Sequence, residues 1–199
     1  MLNKLINRIK NEFSALQRGI NTSLRSAVGR SDYQRWGNKQ SLSPFWDSRT
    51  KKIANQIEPG TSVIEFGAGR LVLKTFLTEN CSYTPSDLVD RGNGTIVCDL
   101  NSDTLPQFQA YDVAVFSGVL EYINNVPRLI RYLSSCVNVI IASYAVTDTN
   151  KRNRRVHGWV NDYSSVQFID IFVNAGFQCD HTEEWMGQVI YKFTKQSSF

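Results

Sequence analysis

The chain has 199 residues, 42% hydrophobic and 12% aromatic, enough to bury one sizeable core and short for two domains. A net charge of +4 favours an acidic partner without specifying one, and it falls far from the charge of a nucleic-acid-binding chain. The widely spaced Cys81, Cys98, Cys136 and Cys179 form no Cys-x-x-Cys pair, so no metal site is indicated, and without a signal-peptide core or 18 consecutive apolar residues the protein is expected to be cytoplasmic with reduced thiols.

From Met1 to about Val28, apolar residues at Leu2, Leu5, Ile6, Ile9, Phe13, Leu16, Ile20 and Leu24 are spaced by threes and fours and predict one amphipathic helix. Its polar face is basic, with Lys4, Arg8, Lys10, Arg18 and Arg25 against the single acid Glu12. Such a helix packs on its own domain or on a twin subunit, or lies peripherally on an anionic inner membrane surface. The polar stretch Gly29 to Ser43, broken by Gly37 and followed by Pro44, predicts a loop. Residues 1–43 are thus expected to form a helix and linker ahead of one domain over 44–199.

A second helix is expected from about Phe45 through Ile57, stopped by Pro59-Gly60. Beyond it, β-branched runs at Ser62–Phe66, Ser82–Asp87, Thr95–Cys98, Tyr111–Ser117 and Val137–Tyr144 alternate with helical segments at Leu71–Thr78 and Val126–Ser135. That alternation reads as a parallel sheet with crossover helices. After an irregular basic stretch, Thr147–Trp159, comes a helix from about Ser164 to Ala175 closed by Gly176. Gln178–Glu184 and Gln188–Thr194, joined near Met186-Gly187, suit an antiparallel hairpin.

Val63 to Arg70 (VIEFGAGR) is a buried strand running into a glycine turn and a helix, and Gly67 and Gly69, lacking Cβ atoms, let a ligand approach the backbone. A dinucleotide fingerprint needs a third glycine where this chain has Val72, and Glu65 would face the pyrophosphate. A carboxylate there suits a ligand with a cationic amino group and no phosphate, which describes S-adenosylmethionine and disfavours NAD. Asp87 ends the second strand, placed to accept the ribose hydroxyls, and Asp99, with Leu100 beside it, follows the third strand, placed for the adenine. Any one of these acids alone also reads as a helix cap or a solvated turn; at successive strand ends they favour a crevice.

These segments, together with Tyr83–Leu88 (YTPSDL), Val97–Pro106 (VCDLNSDTLP), Tyr111–Ile123 (YDVAVFSGVLEYI) and Asn161–Phe177 (NDYSSVQFIDIFVNAGF), resemble class I S-adenosylmethionine-dependent methyltransferases of the small-molecule type over residues 45 to 194. The resemblance implies a Rossmann-like three-layer α/β sandwich, with a mostly parallel seven-stranded sheet ending in an antiparallel strand. It implies cofactor contacts at Glu65, Gly67, Gly69, Asp87, Asp99 and Leu100, with Ser117 and Gly118 after the fourth strand. Leu71 departs from the small residue the family often carries there, and Tyr122 stands where many relatives have His.

Methyl transfer to a hydroxyl needs alignment and removal of one proton. His157, in the segment where similar enzymes form the acceptor pocket, and Tyr122 are the catalytic candidates, and a structural role for His157 stays open. Arg154, within the basic run, and the aromatic Trp159 and Tyr163 are candidates for gripping an anionic or sugar-type acceptor, or form a solvated loop. Phe116-Ser117-Gly118-Val119 lacks the Asn/Asp-Pro-Pro-Tyr sequence of DNA amino-methylation, so the expected acceptor is a small metabolite or glycan methylated on oxygen. A non-catalytic binding protein of the same fold is the competing class.

Overall fold

The computed structural model describes residues 2–196, except for the side chains of residues 2–5 and 11. Met1, the terminal residues to Phe199 and the side chains of Leu2, Lys4 and Leu5 lie outside the described residues. In chain order the elements are α1 (Leu2–Ala27), α2 (Tyr33–Gly37), α3 (Asp47–Ala54), β1 (Ser62–Phe66), α4 (Leu73–Phe76), β2 (Ser82–Asp87), β3 (Ile96–Val97), β4 (Tyr111–Phe116), α5 (Val126–Leu133), β5 (Val137–Tyr144), α6 (Ser165–Val173), β6 (Phe177–Trp185) and β7 (Gln188–Lys195).

The strands pair in the order β3-β2-β1-β4-β5-β7-β6, parallel except for β7, which runs antiparallel to both neighbours. The central strands are nearly continuous apolar runs because both sheet faces are covered. One face packs α5 and α6 over Phe66, Phe116, Tyr144 and Phe193, and the other packs α3 over Val63, Val115 and Ile141. This is the three-layer α/β sandwich expected, and β1, β2 and β5 have the bounds read from the sequence. Strand order reverses between β1 and β4, so a crevice opens at their carboxyl ends, beyond Phe66 and Phe116.

Helix ends follow local chemistry. Asn125 accepts from the Arg128 N–H to start α5, and Ser164 with Gln167 forms a capping box on α6. Two elements depart from expectation. The helix after β1 shortens to Leu73–Phe76 because Leu71 sits at φ 60° and Leu77 is extended; Leu71 holds a left-handed conformation that a small residue adopts more readily. The predicted loop 29–43 contains α2, started by Asp32, whose carboxylate accepts from Arg35 N–H at 3.1 Å.

The stripe predicted on α1 exists, but it faces away from the domain. The helix rests through its small and polar residues: Ser26 Oγ donates to Asn124 at 2.9 Å, Thr22 is buried, and Gly19 lies against Val156. Ile9, Phe13, Leu16, Ile20 and Leu24 are 51% to 67% exposed.

The segment after β5 is fixed by Arg154, which the sequence reading gave to the acceptor. Its guanidinium is buried among the Asn161 and Ala145 carbonyls and the Tyr144 hydroxyl, pairs with Asp162, and stacks over Trp159 at 4.8 Å. Every direction of the planar fork meets an acceptor or an aromatic face, which makes Arg154 a fastener of this segment rather than an acceptor contact. Arg154→Ala strands these carbonyls in a closed space; we expect a loss of about 3 kcal/mol, read as a lowered midpoint in urea unfolding. Arg152→Ala, on the exposed side of the same run, should leave that midpoint unchanged.

Candidate functional site

One cavity of about 760 Å³ opens over the carboxyl ends of β1 and β4. Its floor is the turn after β1, where Gly67 and Gly69 stand at φ 69° and 52°. A Cβ at Gly67 would meet Val119 Cγ2 at 2.5 Å, so glycine is required both by the conformation and by the close approach of the loop after β4.

Glu65 lines the cavity from the end of β1 while only 3% exposed. Tyr83 donates its hydroxyl to Oε2 at 2.6 Å, leaving Oε1 for a ligand. Burial pushes the carboxyl up to about 8, against the pull of that hydrogen bond, with Asp87 raising it further and Arg49 opposing. Asp87, at the end of β2, accepts the Gly69 N–H at 2.8 Å on one oxygen and Arg91 at 3.1 Å on the other. A carboxylate has about four acceptor sites, so capacity remains toward the cavity. Leu100, Ser117 and Gly118 also line it.

Asp99 does not. Its Oδ1 accepts from Ser31 Oγ at 2.6 Å and Asn101 N–H at 2.9 Å, and the Tyr33 hydroxyl bonds to it as well, so the carboxylate faces the N-terminal segment. Tyr163 also stands outside the cavity, packed on Tyr144 with ring centroids 6.0 Å apart.

At the other end of the cavity, Trp159 donates its indole N–H to the Tyr122 hydroxyl at 3.2 Å, and its ring lies 5.1 Å from that of His157. Burial raises the Tyr122 phenol, which therefore stays protonated. Half-burial lowers His157, and Arg152, Arg35 and Arg18 lower it further, so the imidazole is neutral at physiological pH and has a free lone pair. The two catalytic candidates are thereby unequal: His157 can take a proton, whereas Tyr122 donates.

Sequence reasoning missed three contributors. Arg49 of α3, 6% exposed, donates to Ser117 Oγ at 3.1 Å, the Ser117 carbonyl at 2.9 Å and Gln188 Oε1 at 2.6 Å. It presses on Gly118, where a Cβ would lie 2.5 Å from Nη1. Its signal is its place in the α3 stripe, four residues before the buried Ile53. Arg91 follows Asp87 by four residues, the spacing of a local ion pair. Trp36 of α2 packs edge-on to Tyr122 at 4.7 Å and lines the cavity from a segment read as loop; the Asp32 cap was its signal.

The comparisons with known proteins bear on the family and the fold. A model described as a methyltransferase domain matches residues 38–182. No curated protein sequence matches the chain. Among solved structures, an O-methyltransferase assigned as such from Nostoc punctiforme PCC 73102 superposes with TM-score 0.67 at 14% identity, covering 91% of this chain and 69% of that one. The mitomycin 7-O-methyltransferase does so at 0.67 and 13%, covering 92% and 68%. The Burkholderia thailandensis 1,6-didemethyltoxoflavin-N1-methyltransferase, solved with its substrate and S-adenosylhomocysteine, reaches 0.60 at 15%, covering 94% and 90%. With the family model spanning most of the chain and the glycine turn, Glu65 and Asp87 converging on one crevice, the chain belongs to the methyltransferase-domain family.

Proposed function

We propose that the protein is an S-adenosylmethionine-dependent O-methyltransferase acting on a small metabolite or glycan-type acceptor. The observation that carries this reading is the continuity of one cavity from Glu65, the glycine turn and Asp87 to Tyr122, His157 and Trp159, which puts a cofactor and an acceptor in contact. The residues fit the cofactor. Glu65 Oε1 and Asp87 offer acceptors for an ammonium and a ribose, Arg49 offers a cation for a carboxylate, and Leu100 offers an apolar edge for the adenine.

When bound, S-adenosylmethionine supplies an electrophilic methyl carbon on a sulfonium. Around it this chain aligns and deprotonates. His157 accepts the hydroxyl proton on a ring nitrogen as the acceptor oxygen takes the methyl, Tyr122 donates a hydrogen bond to the acceptor, and Trp36 and Trp159 wall the reacting atoms from water.

Titration with S-adenosylmethionine, S-adenosylhomocysteine and NAD tests the cofactor: the two sulfur compounds should bind at micromolar concentration and NAD should not. The neutral Glu65 carboxyl must ionise to meet an ammonium, so S-adenosylhomocysteine affinity should rise by up to about tenfold per pH unit toward pH 8 and level off above it. In the free protein the sign is opposite. Folding with a raised carboxyl is favoured fully below the ordinary carboxylate value, and that advantage fades as pH rises through about 8. Glu65→Gln should abolish the pH slope of affinity; a slope that survives rejects this contact.

We further propose that residues 1–43 serve association. Ile6, Ile9, Phe13, Leu16 and Ile20 alternate at three and four residues, the narrow seam of a two-helix coiled coil, and fit α1 of a second copy. No helix among the described residues is long and apolar enough to cross a membrane. Light scattering on the full chain should give a dimer and Phe13→Asp/Leu16→Asp a monomer. A monomeric wild type that floats with anionic vesicles would assign the face to lipid instead.

A further inference from the structure

Seven arginines line the cavity (Arg25, Arg30, Arg35, Arg49, Arg70, Arg91, Arg152) against four acids (Asp32, Asp47, Glu65, Asp87). Three of those acids are consumed in pairs, Asp32 with Arg25 at 2.7 Å, Asp47 with Arg70 at 2.7 Å and Asp87 with Arg91 at 3.1 Å. The fourth, Glu65, lies at the other end, beyond the glycine turn, where Tyr83 donates to it at 2.6 Å. The acceptor end is left with cations that have no carboxylate among the described residues.

Two of them, Arg35 and Arg152, flank His157. Arg35 is prepared in advance. Its Nη1 donates to the His157 carbonyl at 2.7 Å, and its guanidinium lies over Trp36 at 4.4 Å and near Tyr122 at 5.7 Å. Of its five N–H donors, that one bond leaves the remainder for a ligand. Gly158 makes the space: a Cβ there would lie 2.6 Å from Arg35 Nη1. Arg152 is exposed at the cavity wall with no side-chain hydrogen bond or ion pair among the described residues, and Arg18 of α1 adds its charge near His157. A cation held still by a carbonyl and two aromatic faces, beside a second free cation, is the arrangement that receives an oxyanion in a fork.

We infer that the acceptor carries an oxyanion, a phosphate or a carboxylate on a ring, which docks between Arg35 and Arg152 while Trp36, Tyr122 and Trp159 pack the ring beside His157. This rests on the methyl-transfer reading for the identity of the acceptor but not for the binding itself. The anion then fixes the ring so that one hydroxyl faces His157. It also explains why the imidazole is surrounded by cations: a bound anion restores its basicity at the moment the acceptor is in place.

Phenyl phosphate, benzoate and uncharged benzyl alcohol are the probes, titrated against the full protein with and without saturating S-adenosylhomocysteine. Both anions, or one of them, should bind more tightly than the alcohol, and their relative affinity assigns phosphate or carboxylate. Arg152→Ala should weaken the anion about tenfold and leave the alcohol unchanged. Arg35→Ala should do the same, and Arg35→Lys, which keeps the charge without the fork, guards against a folding loss. Equal binding of alcohol and anions, binding of none, or wild-type anion affinity in both arginine variants overturns the proposal. If S-adenosylhomocysteine fails to bind while the anions bind as described, the methyl-transfer reading falls and the oxyanion subsite stands.

Discussion

The carboxylate of Asp87 is the point on which the site depends. It accepts the Gly69 N–H and the Arg91 guanidinium, and Arg91 in turn donates to the Trp36 carbonyl. Three pieces of chain remote in sequence are thereby tied together: the turn after β1, the end of β2 and helix α2. The pair is buried, with side chains 3% and 6% exposed. Desolvation of both ions offsets much of their attraction, so the contact contributes less to stability than to a single arrangement. It ties α2 to the sheet edge, and α2 carries the Trp36 and Arg35 walls of the cavity.

A second buried network holds the loop after β4. Arg49 spans Ser117 and Gln188, and Gln188 donates to Glu121 at 2.7 Å, whose carboxylate also accepts from Ala145 N–H at 3.0 Å. Burial raises Glu121, with Arg49 and these hydrogen bonds opposing. The network joins α3, β7 and the ends of β4 and β5, the elements that frame the crevice where strand order reverses. Glycine at 118 is a consequence, because Arg49 occupies the space a side chain would need.

The central strands were legible because each is a short apolar run bounded by turn residues, and burial on both faces of a parallel sheet demands that pattern. The hairpin was legible from Met186-Gly187, which adopt φ 41° and 79°. What escaped was direction. Four basic residues crowd positions 151–155, and sequence cannot say that Arg154 turns inward while Arg152 turns out, since that is settled by the Asn161 and Ala145 carbonyls arriving from elsewhere. Asp99 escaped for the same reason: Ser31 and Tyr33, distant in sequence, take its carboxylate. The polar stretch 29–43 looked like loop because α2 has a single turn, too short for periodicity, and is held by Asp32, Arg91 and the aromatic contacts of Trp36 rather than by a repeating apolar face.

The two ends of the cavity, at Glu65 and at His157, have different origins. The sheet supplies the first, through residues at strand ends whose geometry the backbone ladder fixes. The second is assembled from α2 and from the turn Arg155–His157, neither of which belongs to the sheet. That turn is also where α1 rests, with Gly19 against Val156 and Arg155. The exposed stripe of α1 and the support of His157 are thus opposite sides of one helix, both outside the cavity. Helix α1 and the turn that carries His157 meet through a few small-residue contacts, and such contacts shift more readily than a packed sheet.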